Sequence, residues 1–182
     1  VPSDIFEAAL ATFLDMRRLD MRSLAKELGM GRATLYRRIG SRDLLLGQVL
    51  WFLTRRSLVH AVRAADGLAG TARILHVCDT FMATANGQES LRRFLAQEPE
   101  AALRILTSKA GAVQPGVVGH MCRLLQQEVD GGRFTPRLPV QTLAFVIVRI
   151  GEGFLYADVI ADGEPDVTQA MEVIRQLLEG WR

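Results

Sequence analysis

Met21-Arg-Ser-Leu-Ala-Lys-Glu-Leu-Gly-Met-Gly-Arg-Ala-Thr-Leu-Tyr-Arg-Arg-Ile39 reads as two short helices joined by one tight turn. Asp20 can cap the first, Met21–Leu28, and Gly29 supplies the left-handed residue that ends it. The second runs from about Gly31 to Arg38. Ala25 is small where the two helices would cross at close range. Leu24, Leu28, Met30 and Leu35 point inward and hold the crossing angle. The outer face of the second helix is left with Arg32, Ala33, Thr34, Tyr36, Arg37 and Arg38, and residues 32–42 hold four arginines and no acid. Arginine can pair two-pronged with a guanine edge or sit on phosphate, while threonine and tyrosine hydroxyls donate to phosphate oxygens. Ala33 would let the backbone approach a groove closely. Ser41 and Arg42 open the next helix, whose free N–H groups offer another phosphate seat. An ordinary helical hairpin with a solvated basic face has the same helix–Gly–helix pattern. The joint spacing of Ala25, Gly29 and Tyr36, with the basic run and a capped helix directly after, favours a duplex-DNA partner.

Working outward, the rest of the chain also reads as helical, because no stretch alternates with period two for long. A first helix starts near Ser3 or Asp4 as cap and carries the stripe Ile5, Ala8, Ala9, Phe13 and Met16. Ser41 caps a long fourth helix, Arg42 to Ala64. Asp66-Gly67 and Gly70 mark a joint. Helices are predicted beyond it near 71–85, 88–96, 99–108, 116–130, 139–161 and 167–180, separated by glycine and proline clusters. The expected architecture is all-α: a three-helix head with a helix-turn-helix, a connecting helix, and a larger helical body. In residue terms, 1–50 form the DNA-binding domain and 51–182 the body.

Charge divides the chain in the same way. Residues 1–65 carry eleven Lys/Arg against six Asp/Glu, and residues 66–182 eleven against fourteen, although the whole chain is only +2. A basic head on an acidic body suits a polyanion at one end. Apolar residues make up 49% and charged ones 23%, enough for a sizeable core. Cys78 and Cys122 are too few for a disulfide framework, so a reduced, cytoplasmic setting is expected. Leu138–Ile160 is the longest candidate membrane span. Arg149, Glu152 and Asp158 interrupt it at roughly 2.5–3.5 kcal/mol each, so it reads as a buried helix and no membrane partner is expected. No signal peptide is visible, and the chain opens on Val1 rather than Met, which leaves room for a natural extension upstream.

Residues 5–50 resemble the DNA-binding head of TetR-type repressors. The resemblance rests on Ile5-Phe-Glu-Ala-Ala-Leu10, on Ser23-Leu-Ala-Lys-Glu-Leu-Gly-Met30, and above all on Ala33-Thr-Leu-Tyr-Arg-Arg-Ile-Gly-Ser-Arg-Asp-Leu-Leu45. It implies DNA contacts at Arg32, Thr34, Tyr36 and Arg37 or Arg38, with Arg42 on phosphate. Two departures stand out. Ile39 replaces a usual aromatic, and the loop Arg17-Arg18-Leu19-Asp20 lacks the usual glycine–aromatic pair.

The same resemblance implies a homodimer formed through the helices near 139–161 and 167–180, and a small-molecule effector within the body. Leu143, Phe145, Val146, Val148, Ile150, Phe154, Leu155 and Val159 make the first of these apolar on nearly every side. Met171, Ile174, Leu177, Leu178 and Trp181 give the second a clear stripe. Arg149 and Glu152 share a face and can pair, either as a structural ion pair at the interface or as the polar end of a ligand pocket. Tyr156 and Asp158 are open in the same way. Phe81, Met82, Phe94, Met121 and Phe154, with His76 and Cys122, could line an apolar cavity, although each alone reads as plain core. Arg149–Asp158, continuing into Glu164-Pro-Asp166, resembles a TetR subgroup that includes a regulator of quorum-signal lactone breakdown, and so points to an acyl or lactone-like effector. The family reading makes the protein a repressor released from its operator by a small, largely apolar effector.

No cofactor is expected. Neither His76-x-Cys78 nor His120-x-Cys122 makes a metal pair, because residues two apart on a helix point about 200° apart. An enzyme is disfavoured by the lack of a nucleophile elbow, a phosphate-binding glycine loop, His-Glu-x-x-His or paired carboxylates. A helical interaction dimer whose head no longer binds DNA is disfavoured by the unbroken arginine run.

Overall fold

The computed structural model describes residues 1–161 and 163–180. Eleven helices and no strand are found among them: α1 Ser3–Leu14, α2 Met21–Glu27, α3 Arg32–Ile39, α4 Arg42–Ala64, α5 Gly70–Asn86, α6 Glu89–Gln97, α7 Pro99–Thr107, α8 Val113–Asp130, α9 Val140–Leu155, α10 Ala157–Ile160 and α11 Val167–Glu179. The all-α fold is the expected one, with the predicted helix-turn-helix in α2 and α3.

The chain folds as two compact units. One holds residues 1–53 together with 89–114, the other residues 54–88 and 115–182. Thus α6 and α7 group with α1, α2 and α3, which a boundary near residue 50 does not anticipate. The chain passes between the units three times, once in mid-α4.

In the first unit, Ile5, Ala9 and Phe13 of α1 are buried with Leu24 and Ala25 of α2, Leu35 and Ile39 of α3, and Leu45, Leu46, Val49 and Leu50 of α4. Phe94 of α6 meets Phe13 edge to face at 5.9 Å, and Phe6 meets Phe52 likewise at 5.4 Å. The α1 cap differs from expectation: Pro2 takes the N-cap position, without a side-chain bond, rather than Ser3 or Asp4. Pro2 is extended (φ −55°, ψ 143°) and its carbonyl accepts from Phe6 N–H, so the helix starts one residue earlier. The loop without its glycine is solved by Met16, which adopts φ 57°. Its N–H reaches Phe13 O and that of Arg17 reaches Thr12 O, a Schellman closure of α1. Leu19 is then buried beneath the loop.

In the second unit α11 packs on α5 and α9, and α5 also meets α9. Gly151 permits that approach, since a Cβ there would lie 3.3 Å from Met82 Sδ. The single helix predicted over 139–161 is interrupted. Tyr156 leaves helical geometry (φ −113°, ψ 22°) as its side chain is buried, and α10 restarts from its carbonyl. Met171, Ile174 and Leu178 of the α11 stripe are buried and Leu177 half-buried, while Trp181 lies outside the described residues.

Candidate nucleic-acid interface

The helices α2 and α3 are set by two closures that the sequence foretells. Asp20 caps α2, accepting from Ser23 N–H and Oγ, both at 2.8 Å, and the Ser23 backbone bond is the main cause that holds this carboxyl below its usual range. At the other end Gly29 takes φ 61°, so that its N–H reaches Lys26 O and the N–H of Met30 reaches Ala25 O. This Schellman turn aims α3. Any side chain at residue 29 would pay the strain of a left-handed backbone there.

α3 is anchored by Leu35 and Ile39, both buried, over the buried Leu24 and Ala25. Everything else on it faces out: Arg32, Ala33, Tyr36, Arg37 and Arg38 are exposed and Thr34 is half-buried. Its N-cap is Gly31, which offers no side-chain acceptor to the first-turn N–H groups. Those donors, with the positive end of the helix dipole, can accept an anion. The result is a surface of three guanidiniums, two hydroxyls and bare amides on a buried apolar spine. Such a surface can neutralise phosphates and reach base edges.

Ser41 and Arg42 have further duties. Ser41 Oγ accepts from Leu44 N–H at 3.1 Å as the cap of α4, which leaves its O–H free to donate. Arg42, expected on phosphate, has its guanidinium engaged at both ends: Nε donates to Leu19 O at 2.7 Å and Nη2 to Glu98 at 2.6 Å. Sequence reasoning missed Glu98 altogether. Its only local signal is Pro99, which starts α7 and makes residue 98 the N-cap.

Of the effector candidates, Met82, Met121 and Tyr156 are buried and Phe81 and Phe154 half-buried within the second unit. Phe94 is not among them, since it packs on Phe13 in the first unit. Arg149 and Glu152 do pair, at 2.7 Å, and the guanidinium also lies 5.2 Å from the centre of the Phe145 ring. Burial pushes the Glu152 carboxyl up against the opposing pull of Arg149. Burial likewise pushes the Cys78 thiol up to about 12, so it behaves as a small apolar core residue. Among the described residues no group of three or more His, Cys, Asp or Glu is placed to hold a metal ion, and no helix is long and apolar enough to cross a membrane.

Residues 69–179 match the family described as tetracyclin repressor-like, C-terminal domain. Among solved structures, the transcriptional repressor QsdR of R. erythropolis, from the TetR family, is 33% identical over 98% of this chain and 94% of its own, with a TM-score of 0.89. At the level of fold, FadR of Bacillus subtilis, a transcriptional regulator solved with stearoyl-CoA, gives a TM-score of 0.61 at 14% identity over 99% of both chains. FadR of Bacillus halodurans gives 0.60 at 16%, over 98% of this chain and 94% of that one. No curated protein matches. With the family's body over 69–179, a QsdR-like fold over nearly the whole length and a helix-turn-helix at its start, the chain belongs to the TetR family of transcriptional regulators, which are not enzymes.

Proposed function

We propose that the protein is a homodimeric repressor whose α3 reads operator DNA and which a small, largely apolar effector, acyl or lactone-like, releases. The observation that carries this reading is α3 itself: a spine of Leu35 and Ile39 beneath exposed Arg32, Tyr36, Arg37 and Arg38, with an N-terminus that has no side-chain cap. In this reading residues 1–50 bind DNA, and residues 51–182 dimerise and bind the effector. QsdR, a repressor of the same family, supports repression. In FadR the same fold is seen with stearoyl-CoA, which keeps an acyl effector within what the fold takes.

Release runs through α4, one helix that carries Arg42 at its start and the buried Leu58 and Ala61 in its second half. A shift of that half re-aims α3 relative to the dimer mate. Two heads fit successive major grooves only near one DNA turn apart or a multiple of it, about 34–36 Å for one turn. By linkage, operator must weaken effector binding by the same factor as effector weakens operator binding.

Gel shifts on operator and random duplex test the assignment. Tyr36→Phe removes a phosphate bond and is expected to weaken both complexes about equally. Arg32→Ala should lower discrimination between them by about 1–3 kcal/mol, as a lost paired base contact does. An unchanged ratio for the Arg32 variant overturns its base-reading role, and a wild-type protein that binds no duplex overturns the function.

A further inference from the structure

Glu98 stands at the N-cap of α7 with its side chain only 14% exposed. Arg17, Arg18, Arg42 and Arg93 line the same cleft of the first unit, and Glu98 is its one carboxylate. It accepts from Arg42 Nη2 at 2.6 Å and lies 3.5 Å from Arg18 Nε. Arg42 is 21% exposed, and its Nε is spent on the carbonyl of Leu19, in the loop that leads into α2. Asp43, next to it, takes Nε and Nη2 of Arg104 from α7 at 3.1 and 2.8 Å. The start of α4 is therefore held by two ion pairs from α7 and its cap. Neither partner lies in the helix-turn-helix.

We propose that Glu98 sets the general DNA affinity of the first unit: it withholds Arg42, and at longer range Arg18, from DNA phosphates. To reach a phosphate, Arg42 would have to leave a charge-assisted bond to a nearly buried carboxylate. Phosphate contacts give affinity for any sequence, whereas α3 gives the preference for one. Withholding two cations lowers affinity for operator and for random DNA by about the same factor, so it holds down the strength of binding and not its preference. The bond from Arg42 to Leu19 O adds a positioning role, since it ties the α2 entry to α4.

This inference rests on the DNA-binding reading, and the two fail differently. The measurement is the salt dependence of binding to random-sequence duplex, with thermal unfolding to verify the fold. Glu98→Gln keeps an oxygen for Arg42 but drops the charge. It should steepen the plot of log K against log salt by about 0.9 for each arginine released, and raise affinity for random DNA by roughly three- to tenfold at low salt. Adding Arg42→Gln to it should remove one such increment. Arg18→Gln alone, at a side chain 74% exposed, is safe for the fold and should leave the wild-type slope unchanged, because that arginine is not yet on phosphate. A folded Glu98→Gln protein with the wild-type slope overturns the proposal, as does a slope about 0.9 shallower for Arg18→Gln, which would put Arg18 on phosphate already. A wild-type protein with no salt-dependent binding overturns the DNA reading itself.

Discussion

Glu128→Ala is expected to destabilise the second unit by about 3–5 kcal/mol, the usual cost of removing one partner from a buried ion pair. Set against total stabilities of about 5–15 kcal/mol, that is enough to leave much of the protein unfolded at growth temperature. The carboxylate is fully buried on α8 and has no water to fall back on. One oxygen accepts from Gly70 N–H at 2.8 Å and Arg133 Nε at 2.7 Å, while Arg73 Nη1 reaches the other. It thereby joins the start of α5, the end of α8 and the chain that follows. Glycine makes the knot fit. Gly70 has φ 59°, and a Cβ there would stand 2.5 Å from Arg133 O, a backbone atom with nowhere to go. Gly131 has no side chain where the Arg133 guanidinium folds back. Gly70→Ala should therefore destabilise too, through strain and collision together.

The same knot fixes a sign for pH. The Arg133 bond is the chief cause that lowers the Glu128 carboxyl to about 2, from an ordinary 4.5. A carboxylate with a depressed folded value stabilises fully above the unfolded value, and that contribution is lost as pH falls from about 4.5 towards 2. Urea unfolding at pH 7 and pH 3 reads this. The stability gap between wild type and Glu128→Gln should shrink at pH 3, because the glutamine cannot titrate. A gap of equal size at both pH values would mean that the fold leaves the Glu128 carboxyl at its unfolded value.

The helix-turn-helix was legible because its determinants are local. Asp20 and Ser23, or Ala25, Lys26, Gly29 and Met30, lie within five residues of each other, and such closures follow from residue type and spacing. Glu128 was half-legible. It continues the buried register of Met121, Leu124 and Leu125 on α8, an apolar face on which an acid needs a partner. Its partner Arg73 is 55 residues away. Glu98 and Arg42 lie 56 apart, and no periodicity links them. That is why Arg42 could be matched to a phosphate role by its place in a motif while its guanidinium went elsewhere. The break at Tyr156 has no breaker residue. It comes from tertiary burial of one ring in a helix already loosened by Gly151 and Gly153. Phe94 was misplaced for a related reason: an apolar residue announces that it is buried, not which unit buries it.

Phe145→Glu is expected to convert the proposed dimer to a folded monomer. Phe145 is 46% exposed on α9 and Val173 40% exposed on α11, with Val146, Ile150 and Leu177 half-buried on these same two packed helices. Large apolar side chains left partly bare on adjacent helices are what a symmetric partner would cover. The Arg149 guanidinium that stacks on the Phe145 ring and pairs with Glu152 makes the face partly polar without filling it. In a two-fold interface each substitution counts twice, and each buried, unpaired carboxylate costs several kcal/mol, so association should weaken on the order of a thousandfold or more. The monomer should survive, because residue 145 is already 46% exposed, and a glutamate there stays in water when no partner covers it. A single head then reads one half-site, and operator affinity should fall towards the non-specific range of about 10⁻⁴–10⁻⁶ M. Sedimentation and gel shifts on the same samples separate the outcomes. A folded monomer that keeps weak, salt-dependent DNA binding places the interface on α9. Leu177→Glu probes α11 in the same way, and if both variants remain dimers with full operator affinity, the two heads are brought together by some other surface.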